Sequence, residues 1–372
     1  MDGTFWRQYF TSLSPDEARD AYIAARADRV ATYFTSNPRL KYLGVTGIGR
    51  HGGALLFQEQ DTNDEFLRKI VIKYSLDETA DEDLQNEAVW LEQLRGAEHI
   101  AQIIPLAEAE LDVSGTGKRP TLALEFIPYG SFHAFQLRLA KAGIHSLPNR
   151  FLWRILLCLT RQVIAMAYPP RGGPLEPITR ERIKPDEEPY ALTQNSSHLA
   201  NLMVGELTKG DAEHGFTPSF ILIDFGRGEV ESDVSRALES NIWAIGYMFM
   251  CIAAPDLPYK EIGQGFRENR NEYILAEPIG EITTVVTQAH PLSLEKEYLD
   301  PSLKDLMARC LASDREHRPS LEELLERCEH ALVKRLPTDS FGETNFAIYR
   351  LVQEFFLNAD VVEAPGNKRM SL

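Results

Sequence analysis

The feature that most constrains this chain is a change in the spacing of its apolar residues. Between Lys41 and Phe126 they fall in short strand-like runs, and after Gly130 they recur mostly at helical spacing. Strands are expected over residues 42–46, 54–59, 69–74, 103–110 and 121–126, with one helix over 77–94. Residues 114–118 (Ser-Gly-Thr-Gly-Lys) lack the spacing of a phosphate-binding GxxxxGK[ST] loop and predict a turn between the last two strands. Farther on, Pro148 opens a long apolar helix that ends at Pro169-Pro170, and a Pro-, Gly- and charge-rich loop covers 169–190. Short strands over 201–205 and 220–225 come next, then helices to about residue 334 with a turn at 314–319. The pattern predicts an α+β chain: a small five-stranded β part with one helix over 41–125, then a larger, mainly helical part over 126–338. Residues 1–40 form a helical extension, with Phe5, Trp6 and Phe10 on an apolar face and Ser14-Pro15 as a helix start. Residues 339–372 hold an amphipathic helix at 345–356 and a polar tail, expected to be disordered from Ala364.

Charge and composition exclude several classes of function. The 372 residues carry 39 Lys and Arg against 55 Asp and Glu, a net charge of −16. Such a field repels nucleic acid and anionic membrane surfaces, so neither is expected as a partner. The longest apolar run, 242–254, is too short to span a bilayer, and the N-terminus lacks the basic and apolar regions of a secretory signal. Cys158, Cys251, Cys310 and Cys328 are far apart and form no CxxC pair, which predicts reduced core thiols and a cytoplasmic or nuclear protein.

Chemistry-bearing residues follow in a definite order. Gly47, Gly49 and Gly52 form a GxGxxG phrase between two strand patterns, where missing side chains let backbone amides approach phosphate oxygens. Lys73 ends the strand Ile70-Val71-Ile72-Lys73, Glu87 lies on the following helix, and His99-Ile100 comes after it. Asn201 starts a late strand and Asp224-Phe225-Gly226 ends the next. Taken singly, each has a plain alternative: Lys73 a solvated strand end, Glu87 a solvated helix charge, Asp224 a cap, Asn201 a turn residue and the glycines a flexible hairpin.

Taken in order, these residues resemble the protein kinase superfamily over roughly residues 42–332. The LGVxGxGxxG and RKIVIK phrases are similar to those of a divergent fungal group of kinase-like proteins. The resemblance implies a bilobal protein-kinase-like fold with ATP and Mg²⁺ as ligands. It implies that Lys73 pairs with the α/β-phosphates and with Glu87, and that Asn201 and Asp224 hold Mg²⁺. Leu124 would be the gatekeeper of a hinge running to Gly130, with the Glu125 carbonyl and the Ile127 amide facing the adenine edge. Ala54 and Val71 would line the adenine site, one change removing volume and the other adding it, with Met203 as its floor. Residues 241–246 resemble the start of the central helix of the large lobe, and His317-Arg318-Pro319 a late signature of the fold.

The departures from that pattern bear on activity. Five residues before Asn201, where kinases place the aspartate that accepts the substrate proton, stands Ser196. General-base assistance is worth ~10²–10⁴-fold, so the serine predicts a large loss of transfer rate. His198 is a candidate substitute base, or simply a loop histidine beside phosphate. Gly226 to Asn241 leaves little room for an activation segment and contains no APE phrase; Arg318 thereby loses its usual partner. Asn241 stands where an aspartate usually caps the catalytic loop. The expectation is a pseudokinase, a binding or scaffolding module for nucleotide and a protein partner. An active unconventional phosphotransferase and an interaction module without nucleotide are the alternatives.

Overall fold

The computed structural model describes residues 15–49, 52–106, 110–112, 118–255, 270–333 and 343–357, and the chain divides into two compact units. Of the described residues, the first takes those up to 89 and those from 103 to 126; the second takes 90–102 and those from 127 to 357. The chain is thus a mixed α+β protein. No helix among the described residues is long and apolar enough to cross a membrane.

The first unit begins with α1 (Pro15–Thr35), which starts on the proline that the sequence marks as a first helical residue. Strands β1 (Leu40–Ile48), β2 (Gly52–Gln60) and β3 (Phe66–Ser75) follow as an antiparallel meander. Helix α2 (Glu78–Gln93) starts in this unit, and β4 (Glu110–Asp112) and β5 (Lys118–Glu125) complete a sheet of order β1-β2-β3-β5-β4. The strand period sorts β3 cleanly: Ile70, Ile72 and Tyr74 are buried on one face, and Val71 and Lys73 lie on the other. The buried face meets α1, whose Ile23, Ala27, Val30, Ala31 and Phe34 recur at helical spacing and share a core with Leu55, Phe57 and Ala123. Two polar contacts fix the docking of α1: Tyr22 Oη donates to the Leu76 carbonyl at 2.8 Å, and Arg26 Nε to that of Ser75 at 2.6 Å.

One expectation about this unit needs correction. The sheet rests on four strands of eight to ten residues, and the fourth expected strand, 103–110, is replaced by the three-residue β4. Ile103 makes only an isolated bridge to Leu124, and Ile104 donates to the Ala123 carbonyl at 2.8 Å. Pro105, without an N–H, then stops the ladder. Helix α1, in the extension 1–40, forms one wall of the sheet's core, so two helices start in this unit. Phe5, Trp6, Phe10 and Ser14, most of the 114–118 turn and the tail from Ala364 lie outside the described residues.

The second unit is mainly helical. Its elements are α3 (Phe132–Lys141), α4 (Asn149–Ala167), the short strands β6 (Leu192–Thr193), β7 (Leu202–Val204), β8 (Phe220–Leu222) and β9 (Glu229–Val230), α5 (Val234–Ala253), the hairpin β10 (Asn271–Ile279) and β11 (Ile282–Thr287), then α6 (Pro291–Leu294), α7 (Pro301–Cys310), α8 (Leu321–Val333) and α9 (Asn345–Val352). Helix α4 opens after Pro148 and is buried from Phe151 to Ala167, packed against α5 and α8. Its first amides are capped by Glu343, whose carboxylate accepts from Asn149 N at 2.6 Å and Arg150 N at 3.0 Å. The turn after α9 drives Phe356 into the same core, stacked on Phe135 and edge-on to Phe132, Phe151 and Phe220. The terminal amphipathic segment is therefore a packed core element. The β10–β11 hairpin corrects the expectation of continuous helices to residue 334.

Candidate functional site

The first unit holds the glycine phrase and the lysine–glutamate pair. Period 2 places Lys73 on the sheet face away from α1, in register with Ala54 on β2 and Leu122 on β5. Val71, two residues earlier, is in register with Leu56 and Leu124. Lys73 Nζ donates to both oxygens of Glu87, at 2.8 and 2.6 Å. Glu87 is 2% exposed, so its charge depends on this ammonium more than a surface pair would. Glu125 ends β5 in register with Ile70.

The glycines divide by cause. A Cβ on Gly52 would lie 2.6 Å from the Tyr74 carbonyl oxygen, and one on Gly53 would strike the Tyr74 ring, so packing against β3 explains both. A Cβ on Gly47 would meet nothing within 4 Å, and one on Gly49 only the Gly52 carbonyl at 3.6 Å. Packing does not require glycine at these two positions. The hairpin is closed by Gly49 N donating to Gly52 O at 2.8 Å; Arg50 and His51 lie outside the described residues.

The second unit brings Ser196, Asn201 and Asp224 together. Asn201 Nδ2 donates to the Ser196 carbonyl at 2.9 Å, to Ser196 Oγ at 3.1 Å and to Asp224 Oδ2 at 3.3 Å. All three bonds use the amide nitrogen and leave Oδ1, the hard oxygen a magnesium ion would take, out of them. Strands β7 and β8 set the spacing, since Asn201 precedes one and Asp224 follows the other, and Ile223 N donates to Asn201 O at 2.9 Å. Asp224 adopts φ +67°, a left-handed conformation that costs an L-residue roughly 1–2 kcal/mol and favours glycine. Phe225 behind it is fully buried.

Gln194, to which the sequence reading assigned no role, holds this cluster. Its Nε2 donates to the carbonyls of Asp224 at 2.7 Å and Ile223 at 3.2 Å, while its Oε1 accepts from Ser196 N and Ser197 Oγ at 3.0 Å each. A buried amide two residues before Ser196 thus ties the loop to the segment that follows β8. Asn241 performs the neighbouring task, donating to the Leu192 carbonyl at 2.8 Å. A neutral amide therefore anchors the loop where a carboxylate was expected. Burial pushes the His198 imidazole below its ordinary range, against the pull of the Asp224 charge.

The remaining expected residues are placed as follows. Ile127 is 7% exposed and packs with Ala101 and Ile221, and Met203 and Ile223 lie against this cluster. The segment after Asp224 is short, as expected: Gly228 N turns back to Phe225 O at 2.9 Å, β9 pairs with β6, and α5 starts at Val234. Trp90 Nε1 donates to Gly228 O at 2.9 Å and fixes this turn. Arg318 finds carbonyls in place of a glutamate, donating to Glu239 O at 2.8 Å and to Ala312 O at 3.1 and 3.2 Å.

Each unit thus assembles a polar cluster of its own. Lys73 and Glu87 with the open glycines suit phosphate in the first unit, and Asn201 with Asp224 suits a hard dication in the second. No protein-family model and no curated protein sequence matches the chain.

Proposed function

We propose that this chain is a protein-kinase-like protein of bilobal fold that binds ATP with Mg²⁺ and has impaired or no phosphotransfer. In this reading Lys73, held by Glu87, supplies positive charge for the α/β-phosphates, and the amides around Gly47 and Gly49 approach the phosphate oxygens. Asn201 Oδ1 and the Asp224 carboxylate supply oxygen ligands for the ion. The carrying observation is the junction of Asn201, Asp224 and Ser196, a metal-type pair held by Gln194 with a hydroxyl beside it. That hydroxyl accepts a hydrogen bond from Asn201, and it cannot take an alcohol's proton near neutral pH. The short turn from Phe225 to β9 supports the same reading, because it offers little surface for a peptide acceptor. The protein would then act through its nucleotide-dependent shape, as a regulatory or scaffolding partner of another protein.

The test is a thermal shift with MgATP, with ATP alone and with neither, on wild type, Lys73→Ala and Asp224→Ala, followed by a phosphotransfer assay. The proposal expects an Mg²⁺-dependent rise in the melting temperature for wild type only, with transfer restored in part by Ser196→Asp. Turnover by wild type that Asp224→Ala abolishes would instead identify an active phosphotransferase. No ATP-dependent shift at any magnesium concentration would leave a protein-interaction module without nucleotide.

A further inference from the structure

Within the second unit, away from the residues just discussed, a second cluster of metal-type donors lies buried. His99 comes from the turn after α2, Cys158 from the middle of α4, and His214 from the loop between β7 and β8. His99 is 0% exposed, and Cys158 and His214 are 1% exposed. One ring nitrogen from each histidine and the Cys158 sulfur all lie within 4.8 Å of one another. The two Nε2 atoms face each other at 3.1 Å.

We propose that His99, Cys158 and His214 form a binding site for a single Zn²⁺ ion. Donor chemistry favours this cation, since imidazole and thiolate together select a borderline-soft ion over magnesium or calcium. Geometry agrees: with Zn–N bonds of about 2.05 Å, the 3.1 Å separation gives an N–Zn–N angle of about 98°, near the tetrahedral value. Three protein donors leave one position for a water.

The surroundings are those of an oriented ligand. His99 Nδ1 lies 2.8 Å from Glu181 Oε2, and His99 N donates to Glu181 Oε1 at 2.7 Å. A carboxylate on the remote nitrogen fixes the ring and directs the Nε2 lone pair toward a metal. Glu181 is itself held, since Arg161 Nη1 donates to its carbonyl at 2.8 Å. His214 is anchored through its backbone, whose amide donates to Asp211 Oδ1 at 2.8 Å while Arg180 holds Asp211 Oδ2 at 2.8 Å; its ring Nδ1 is buried with no hydrogen-bond partner among the described residues. The charges also close: a dication, the Cys158 thiolate and the Glu181 carboxylate sum to zero, as a fully buried site needs. Glu181 is a positioning residue here, and the three donors are the ligands.

The experiment uses the full chain, expressed with zinc in the medium and desalted before elemental analysis. Stoichiometric zinc is expected, together with a fall in melting temperature when a chelator removes it. Reconstitution with Co²⁺ gives a thiolate-to-cobalt absorption band that Cys158→Ser removes, and Glu181→Gln weakens metal affinity by about 10–100-fold. If the variants fail to fold, the wild-type cobalt spectrum still decides. Metal-free wild type with unchanged melting in chelator and no thiolate–cobalt band would overturn the proposal.

Discussion

Replacing Lys73 by methionine separates what the Lys73–Glu87 pair does for folding from what it does for a ligand. Glu87 is buried, at 2% side-chain exposure, while Lys73 keeps 26% of its side chain in contact with water. Removing one partner of a buried pair leaves the other charge without its compensation, at a cost of about 3–5 kcal/mol. Water reaches the lysine end, so Lys73→Met belongs at the low end, about 3 kcal/mol. The double variant Lys73→Met/Glu87→Leu removes both charges and fills similar volume. Replacements of that kind are often neutral or stabilising, so the double variant is expected within about 1 kcal/mol of wild type. Urea denaturation measures this as a lowered midpoint at unchanged slope for the single variant and recovery for the double. Both variants lose stabilisation by MgATP, which in wild type grows as RT ln(1 + [L]/Kd). A single variant as stable as wild type would refute the burial reasoning. A double variant that MgATP still stabilises would refute the role of Lys73 as a phosphate ligand.

Three further outcomes follow from the geometry. Gly52→Ala, whose Cβ would lie 2.6 Å from the Tyr74 carbonyl, should destabilise the chain by about 1–3 kcal/mol, whereas Gly47→Ala, with nothing within 4 Å, should stay within about 0.5 kcal/mol yet weaken ATP binding by titration calorimetry. All four cysteines are buried and burial pushes the thiols of Cys251 and Cys310 up to about 12, so at pH 8 only about one in 10⁴ of these two is thiolate; iodoacetamide followed by mass spectrometry should label them only with denaturant present. The amides of Glu65 and Asn63 hold the Asp61 carboxyl below its usual 3.8, so the stability this turn lends is present well above that unfolded value and is lost as pH falls through the lowered folded value; carbon-detected NMR titration should place the Asp61 midpoint below 3.8, and a midpoint at or above 3.8 would contradict the turn geometry.

Sequence periodicity was most informative where local and tertiary preferences agree. The apolar run Ile70–Ile72 located the strand that carries Lys73, and Pro148 with its apolar run located α4, because burial writes itself into spacing. Failures came where context decides. The β10–β11 hairpin had a local signal, β-branched Ile282-Thr283-Thr284-Val285-Val286 after a Gly280-Glu281 turn with Gly280 at φ +58°, but it sat inside a region read as helical. Pro105 pointed against a strand over 103–110 and was outweighed by its apolar neighbours. At the site, the carboxylates and amides were legible because their types are chemically restricted. Gln194 was not, because a staple that works through backbone carbonyls leaves no residue pattern behind. Nor was the His99–His214 contact, which joins residues 115 positions apart.

Some features of the chain are fully explained by packing, and others are not. Gly52 and Gly53 are required by Tyr74, and Asn241 and Gln194 satisfy buried carbonyls. Packing alone gives no reason for the open Gly47 and Gly49, while Asp224 at φ +67° is held by the hydrogen bond its carboxylate accepts from Asn201. Strain and surplus freedom of this kind are common at ligand sites, and each falls on a residue that the proposed function assigns to phosphate or dication binding. Ser196 acts in the opposite direction. A loss of ~10²–10⁴ in rate corresponds to about 2.7–5.4 kcal/mol of barrier, a penalty confined to the chemical step. Ground-state binding is spared, since neither Asn201 Oδ1 nor the Asp224 carboxylate needs a charge at position 196. A serine there also removes a negative group from beside incoming phosphates, easing like-charge repulsion at the moment of binding. Under the proposed function, nucleotide affinity and phosphotransfer would therefore separate at this one position, in the direction of a protein that holds its ligand over one that consumes it.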